Sequence, residues 1–213
     1  PEDIETFFKL VHLYFTQPRK DADAFASYKK SQIESIQNAK RSPQSAFRDT
    51  IQVTLGQKHR RSLPLTKEDI ENIDLDKAID FYKNRFADAS DFTFIFVGNY
   101  DEEKMKGMLE KYVASLPSVK RDEKWKDVGM RYPSGNIEKE VFKGMEEKSQ
   151  VRLAITGDFD YNRKNRFMLN AMNEVLRIRL REVIREDKGG VYGIGSYASM
   201  DQYPYENYLI QVV

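Results

Sequence analysis

The sequence predicts an α+β fold built from part-domains, and three observations lead there. Helical patterning dominates the first 116 residues; residues 92–98, "FTFIFVG", form one continuously apolar, strand-like run; the end of the chain reads strand, strand, helix, strand, strand. A polar stretch punctuated by Pro and Gly lies between them. The expected organisation is a helix-rich part over 1–116, a linker over 117–136, and a part of β-β-α-β-β order over 137–213.

The elements follow from spacing and punctuation. "EDIETFFKLVHLYFT" carries Phe7, Phe8, Val11, Tyr14 and Phe15 at helical intervals, and Pro18 stops it. A second helix runs from near Asp21 to about Lys40 with Phe25, Ile33 and Ile36 inward. Ser42 caps a third, with Pro43 at its first position, reaching about Leu55. "TKEDIENI" is a short helical turn. Asp74 caps the stripe Leu75, Ala78, Ile79, Tyr82 and Phe86, and Asp101 caps a helix to about Leu116.

The run 92–98 is rich in aromatic and branched residues, which suits a strand covered on both faces. One strand is not a sheet, so its partners come from elsewhere in the chain or from beyond it. Trp125 is expected to pin the linker to a surface. Beyond it, "IEKEVFKG" and "SQVRLAITG" read as strands. A long helix then places Met168, Met172, Leu176, Leu180 and Val183 on one stripe, and "GVYGIGSYAS" and "YENYLIQVV" read as two more strands.

Charge is nearly balanced, at +1 from 35 basic and 34 acidic side chains, so there is no electrostatic case for nucleic acid or an anionic membrane. No apolar run approaches a membrane span. The absence of cysteine excludes disulfides, thiolate catalysis and cysteine-ligated metal. The chain begins without methionine and stops in "YLIQVV", which reads as a piece of a longer protein. Its open edges are expected either to self-associate or to pair with one another.

Metal chemistry is testable by counting. His12 and His59 are the two histidines, in an apolar helix and a basic loop, and neither has the spacing that puts two imidazoles on one helix face. No metal ligand is assigned in this chain. No G-x-S-x-G elbow is present, and the glycines of "DKGGVYGIGS" close a helix and enter a strand, opposite to a phosphate-binding loop.

That last stretch has a purely structural reading. Gly189 or Gly190 ends the helix in the left-handed conformation, and Arg185 favours the negative end of the helix dipole. A strand from Val191 would put Val191, Gly193, Gly195 and Tyr197 on one face, opposite Tyr192, Ile194 and Ser196. Two bare positions on one face imply close approach of another element. Arg185 and Tyr192 can also donate hydrogen bonds to a peptide carbonyl, which suits polypeptide binding.

At these residues the sequence resembles the pitrilysin/insulinase family of zinc metallopeptidases, most closely the bacterial type with two homologous pairs of α/β domains. "RFADASDFTFIFVGNYD" with the following helix and "SLP" resembles the close of one domain of that family. "LREVIREDKGGVYGIGSYAS" resembles its arginine-tyrosine segment. The resemblance implies part-domains of a metallopeptidase-like α/β sandwich, with an antiparallel-rich sheet and helices on one side. It makes 1–116 the back part of one α/β domain and 137–213 the front part of the next. It implies a substrate-binding C-terminal region of a zinc endopeptidase acting on peptides or unfolded polypeptides. Zinc would be held by an N-terminal half carrying H-x-x-E-H, absent here, so this chain alone would be inactive.

By the same resemblance Arg185 and Tyr192 are the catalytic and substrate-binding pair reaching a peptide carbonyl, with Gly189, Gly190 and Gly193 shaping the turn. A bacterial periplasm or cell envelope is favoured over the cytoplasm. The alternative is a non-catalytic module from an inactive paralogue that binds polypeptide or a partner subunit.

Overall fold

The computed structural model describes residues 3–213, so Glu2 of the first expected helix lies outside the described residues. In chain order the regular elements are α1 (Ile4–Thr16), α2 (Ala22–Arg41), α3 (Pro43–Leu55), α4 (Lys67–Glu71), α5 (Leu75–Arg85), α6 (Glu102–Met108), β1 (Leu153–Asp158), α7 (Arg163–Leu180), β2 (Ser196–Asp201) and β3 (Asn207–Val212). The class is α+β, with a small antiparallel sheet among helices. Two compact units divide the chain: one runs through Asn38 and again over Leu65–Trp125, the other takes Ala39–Pro64 and Lys126–Val213.

Local chemistry starts the helices where the sequence places them. Ser42 accepts from the Ser45 N–H at 3.3 Å, Asp74 from Lys77 at 3.1 Å and Asp101 from Lys104 at 3.0 Å. Thr66 and Asp69 form a reciprocal capping box. Each cap satisfies a backbone donor that the first turn leaves without a partner.

In the first unit, Phe8 of α1, Met105 of α6 and Tyr112 form a buried cluster, with Phe96 packed on it. The Tyr112 hydroxyl donates to Glu5 at 2.7 Å, and that bond holds the Glu5 carboxyl below its ordinary value. A second aromatic group joins Phe15, Phe86, Phe92 and Phe94, with Phe15 edge-on to Phe86 at 5.0 Å. Residues 92–98 therefore pack on helices through alternate phenylalanines. They differ from the expected strand in two ways. No ladder forms there among the described residues, and Ile95 and Val97 stand 80% and 93% exposed, so only one face is covered.

Asp88 organises the end of this unit. Fully buried, it accepts from Ser90 N–H and Oγ, from Ser118 Oγ at 3.1 Å, from Val119 N–H at 3.1 Å and from Arg121 N–H at 2.5 Å. The Arg121 bond leads in holding its carboxyl far below the usual carboxylate range, against the cost of burial. The polar stretch at 117–121 is thus clamped in place. Trp125, expected to pin this region, stays 63% exposed.

In the second unit β3 is central, with antiparallel β1 and β2 on either side. Register pairs Ile155 and Ala198 with Ile210, and Gly157 and Met200 with Tyr208. α7 packs against β2. The expected strand at 137–144 does not form: Phe142 is 89% exposed and no described segment offers it a ladder. The inward row of α7 is Leu169, Asn173, Leu176 and Leu180, whereas Met168, Met172 and Val183 are 57%, 47% and 42% exposed. The expected stripe is turned by about one residue, because the polar Asn173 occupies an inward position.

The sign of the Asp88 shift makes a pH prediction. A carboxyl depressed in the folded state stabilises above its unfolded value and loses that contribution as pH falls toward the folded value. Asp88→Asn should lower the melting temperature at pH 7 by ~5 °C or more, since an amide cannot accept from every donor. The gap between wild type and variant should narrow below about pH 4. Thermal denaturation across a pH series measures both.

Candidate functional site

The segment singled out by sequence lies between α7 and β2. Past Leu180 the helix widens into a π-helical turn over Arg181–Asp187. The Lys188 N–H reaches the Val183 carbonyl at 3.2 Å, and the Gly190 N–H reaches Ile184 at 3.1 Å. These bonds resemble a Schellman ending widened by one residue. Gly189 takes φ +58°, the left-handed conformation that ends the helix, and a Cβ there would meet nothing within 4 Å. Gly190 lies outside the left-handed region, and an added Cβ would make an ordinary contact with the Ile184 carbonyl at 3.7 Å.

Arg185 sits in the wide turn, exposed, and Tyr192 is fully exposed in the loop that follows. Neither makes a hydrogen bond or ion pair among the described residues, and the two do not touch each other through any such bond. Each presents its donors to solvent. The strand begins at Ser196 rather than at Val191, so Tyr192, Gly193 and Ile194 belong to a loop. Its far end is tied by Gly195, whose N–H and carbonyl pair with Val213 at 2.9 and 3.0 Å.

The two bare positions have different explanations. The Tyr197 ring lies over Gly195, where an added Cβ would come within 3.2 Å of it. An aromatic cover takes the place of the approaching element that the alternation implied. Gly193 meets nothing within 4 Å.

Sequence reasoning missed the residue that ties the middle of α7 to the start of β2, where the loop ends. Asn173 and Ser196 are buried, 7% and 3% exposed, and bond reciprocally. The Ser196 hydroxyl donates to Asn173 Oδ1 at 2.5 Å, and Asn173 Nδ2 donates to the Ser196 carbonyl at 3.2 Å. The available signal was an asparagine three and four positions from Leu176 and Leu169, on the inward face of the helix.

A separate open cavity of about 490 Å³ lies within the second unit. Tyr132, Tyr205, Leu55 and Leu209 line it, with Arg61 and Asp201 also present. The Tyr205 hydroxyl accepts from the Tyr132 N–H at 3.0 Å, and the Arg131 guanidinium stacks 4.4 Å from the Tyr205 ring. Arg131 pairs in turn with Asp127, which holds the Asp127 carboxyl down at about 2. Burial, then the Asp201 charge, raises the Tyr132 hydroxyl.

Among the described residues there is no group of three or more His, Cys, Asp or Glu that could hold a metal ion. His12 Nδ1 lies 3.0 Å from the Tyr112 carbonyl, and His59 Nδ1 accepts from the Arg61 N–H. No described helix is long and apolar enough to cross a membrane.

The family described as the Peptidase M16 inactive domain matches residues 72–211, a span that includes the wide turn, its loop and all of the sheet except Val212 at the end of β3. The chain belongs to that family. This agrees with the resemblance to the pitrilysin/insulinase peptidases. Among M16 relatives, the probable zinc protease PqqL of Haemophilus influenzae Rd is 22% identical over 154 residues, 72% of this chain and 15% of that protein. The probable zinc protease PqqL of Escherichia coli K12 is 24% identical over 201 residues, 92% of this chain and 21% of that protein. The crystal structure of the periplasmic protease PqqL from Escherichia coli matches 99% of this chain and 23% of its own at a TM-score of 0.75 and 20% identity, a likeness of fold. The chain therefore spans about a fifth of the length of the curated relatives it matches.

The glycines of this M16 turn are separable by mutation. Gly189→Ala should cost about 1 kcal/mol, because an L-residue is strained in the left-handed region. Gly190→Ala should cost less, because its added Cβ meets only an ordinary contact. Urea denaturation of the two variants beside wild type gives the ordering.

Proposed function

We propose that this chain is the substrate-binding C-terminal region of a zinc metalloendopeptidase that hydrolyses peptides or unfolded polypeptides. The observation that carries the reading is the unpartnered state of Arg185 and Tyr192. Two large donor side chains stand in solvent on a turn anchored at both ends, within a chain whose family is M16. A guanidinium and a phenol in that setting suit a peptide carbonyl oxygen, to which each donates a hydrogen bond. A preorganised donor aimed where negative charge develops is worth about 3–4 kcal/mol in kcat.

In this reading zinc is held outside this chain; among the described residues there is no group of three or more His, Cys, Asp or Glu that could hold it. The metal and the base belong to other polypeptide, the N-terminal half of the parent, and this chain alone is inactive. Its own contribution is to bind and orient the substrate through Arg185 and Tyr192, with Gly189, Gly190 and Gly193 shaping the loop that carries them. The relatives named as zinc proteases support the zinc protease assignment, and the periplasmic protease of like fold supports a bacterial periplasm or envelope.

The family's description as an inactive domain favours one second reading, a module that binds polypeptide without cleaving it. The parent enzyme separates the two. In wild type beside Arg185→Ala and Tyr192→Phe, kcat should fall about 100-fold or more in each variant while bound zinc stays constant. Variants as active as wild type would remove Arg185 and Tyr192 from the active site. A wild-type parent that is inert and zinc-free, yet captures unfolded polypeptide, would establish the binding module instead.

A further inference from the structure

We infer that Asn173 and Ser196 are positioning residues for the turn that carries Arg185 and Tyr192; this rests on the substrate-binding role proposed for that pair. The loop leaves α7 through the wide turn and rejoins the sheet at Ser196, the first residue of β2. Main-chain bonds tie its start at Lys188 and Gly190 and its end at Gly195, while residues 191–194 make no main-chain hydrogen bond among the described residues. The conformation of such a loop is set by the separation and orientation of its two anchors.

Asn173 and Ser196 fix that relation directly. The asparagine lies on the inward row of α7, and the serine faces it from β2, beside Ala198 and Met200 on the helix-covered side of the sheet. Their two bonds run in opposite directions, from hydroxyl to side-chain carbonyl and from side-chain amide to main-chain carbonyl. A slide of β2 along α7, or a rotation of α7 about its axis, breaks both together. An apolar pair of the same volume would tolerate either movement, because dispersion contacts are not directional. A reciprocal buried pair therefore specifies where the body of α7, seven residues before its end at Leu180, and the strand start stand relative to each other. The helix carries that relation on to the wide turn. Displacement by about 1 Å at a reacting centre costs on the order of 100-fold in rate, so an anchor of this kind acts through the side chains it aims.

Two measurements test it. Hydrogen exchange on the 213-residue chain should show the hydrogen-bonded anchor amides of Lys188, Gly190 and Gly195 exchanging at least ~10-fold faster in Ser196→Ala and in Asn173→Ala, with Ser196→Thr close to wild type because the hydroxyl is kept. In the parent peptidase, Ser196→Ala should lower kcat about 10-fold with little change in KM. The same substitution should change kcat less than about 2-fold when Arg185→Ala and Tyr192→Phe are already present. Unchanged exchange at Lys188, Gly190 and Gly195 in both alanine variants overturns the inference. So does a kcat loss of the same factor in both backgrounds, which marks a general loss of structure. Arg185→Ala and Tyr192→Phe with full activity would overturn the substrate-binding reading and the positioning role with it, whereas an impaired pair beside an indifferent Ser196→Ala overturns the positioning role alone.

Discussion

Every strand-to-strand bond of the sheet passes through β3. Its two neighbours pair with it and not with each other, so the last regular segment of the chain joins β1 to β2. Leu209 and Ile210 are correspondingly among the most buried side chains of their unit. Once β3 is in place, β2 has a fixed register, α7 has a face to pack on, and the loop between them has both anchors. The exposed donors of Arg185 and Tyr192 are thus held by contacts made elsewhere, in a ladder that contains neither residue.

Helices were legible in the sequence because their signals are local. Ser42 with Pro43, Thr66 with Asp69, Asp74 and Asp101 each act within one turn, and each caps the helix expected of it. Strands were less legible because a ladder needs a partner distant in sequence. Residues 92–98 and 137–144 have the composition of strands, yet composition supplies no hydrogen-bonding neighbour. Residues 153–158 and 207–212 succeed because each has the other.

At the candidate site, the glycine that ends the helix was readable from residue type, whereas Arg185 and Tyr192 were singled out by the resemblance of their segment to a family motif. The bond that ties α7 to β2 was readable from neither. Asn173 counts as polar in any hydrophobic pattern, and its burial is permitted only because Ser196 satisfies it from 23 residues away. The same limit applies to Gly195, whose bare face invited a ligand or a neighbouring backbone and is covered by Tyr197 from two positions along its own chain. Gly157 is covered in the same manner by Tyr208 across the ladder.

The wide turn at Arg181–Asp187 has a geometric consequence for how such a site can change over time. One residue in excess of the α-helical repeat rotates everything after it by about 100° around the helix axis. The inward row ending at Leu180 keeps its packing, and the residues beyond it are turned to a new bearing. An insertion of one residue is thereby absorbed without disturbing the core. The same sequence continued as a regular α-helix, without the wide turn, would point its arginine in another direction around the helix axis.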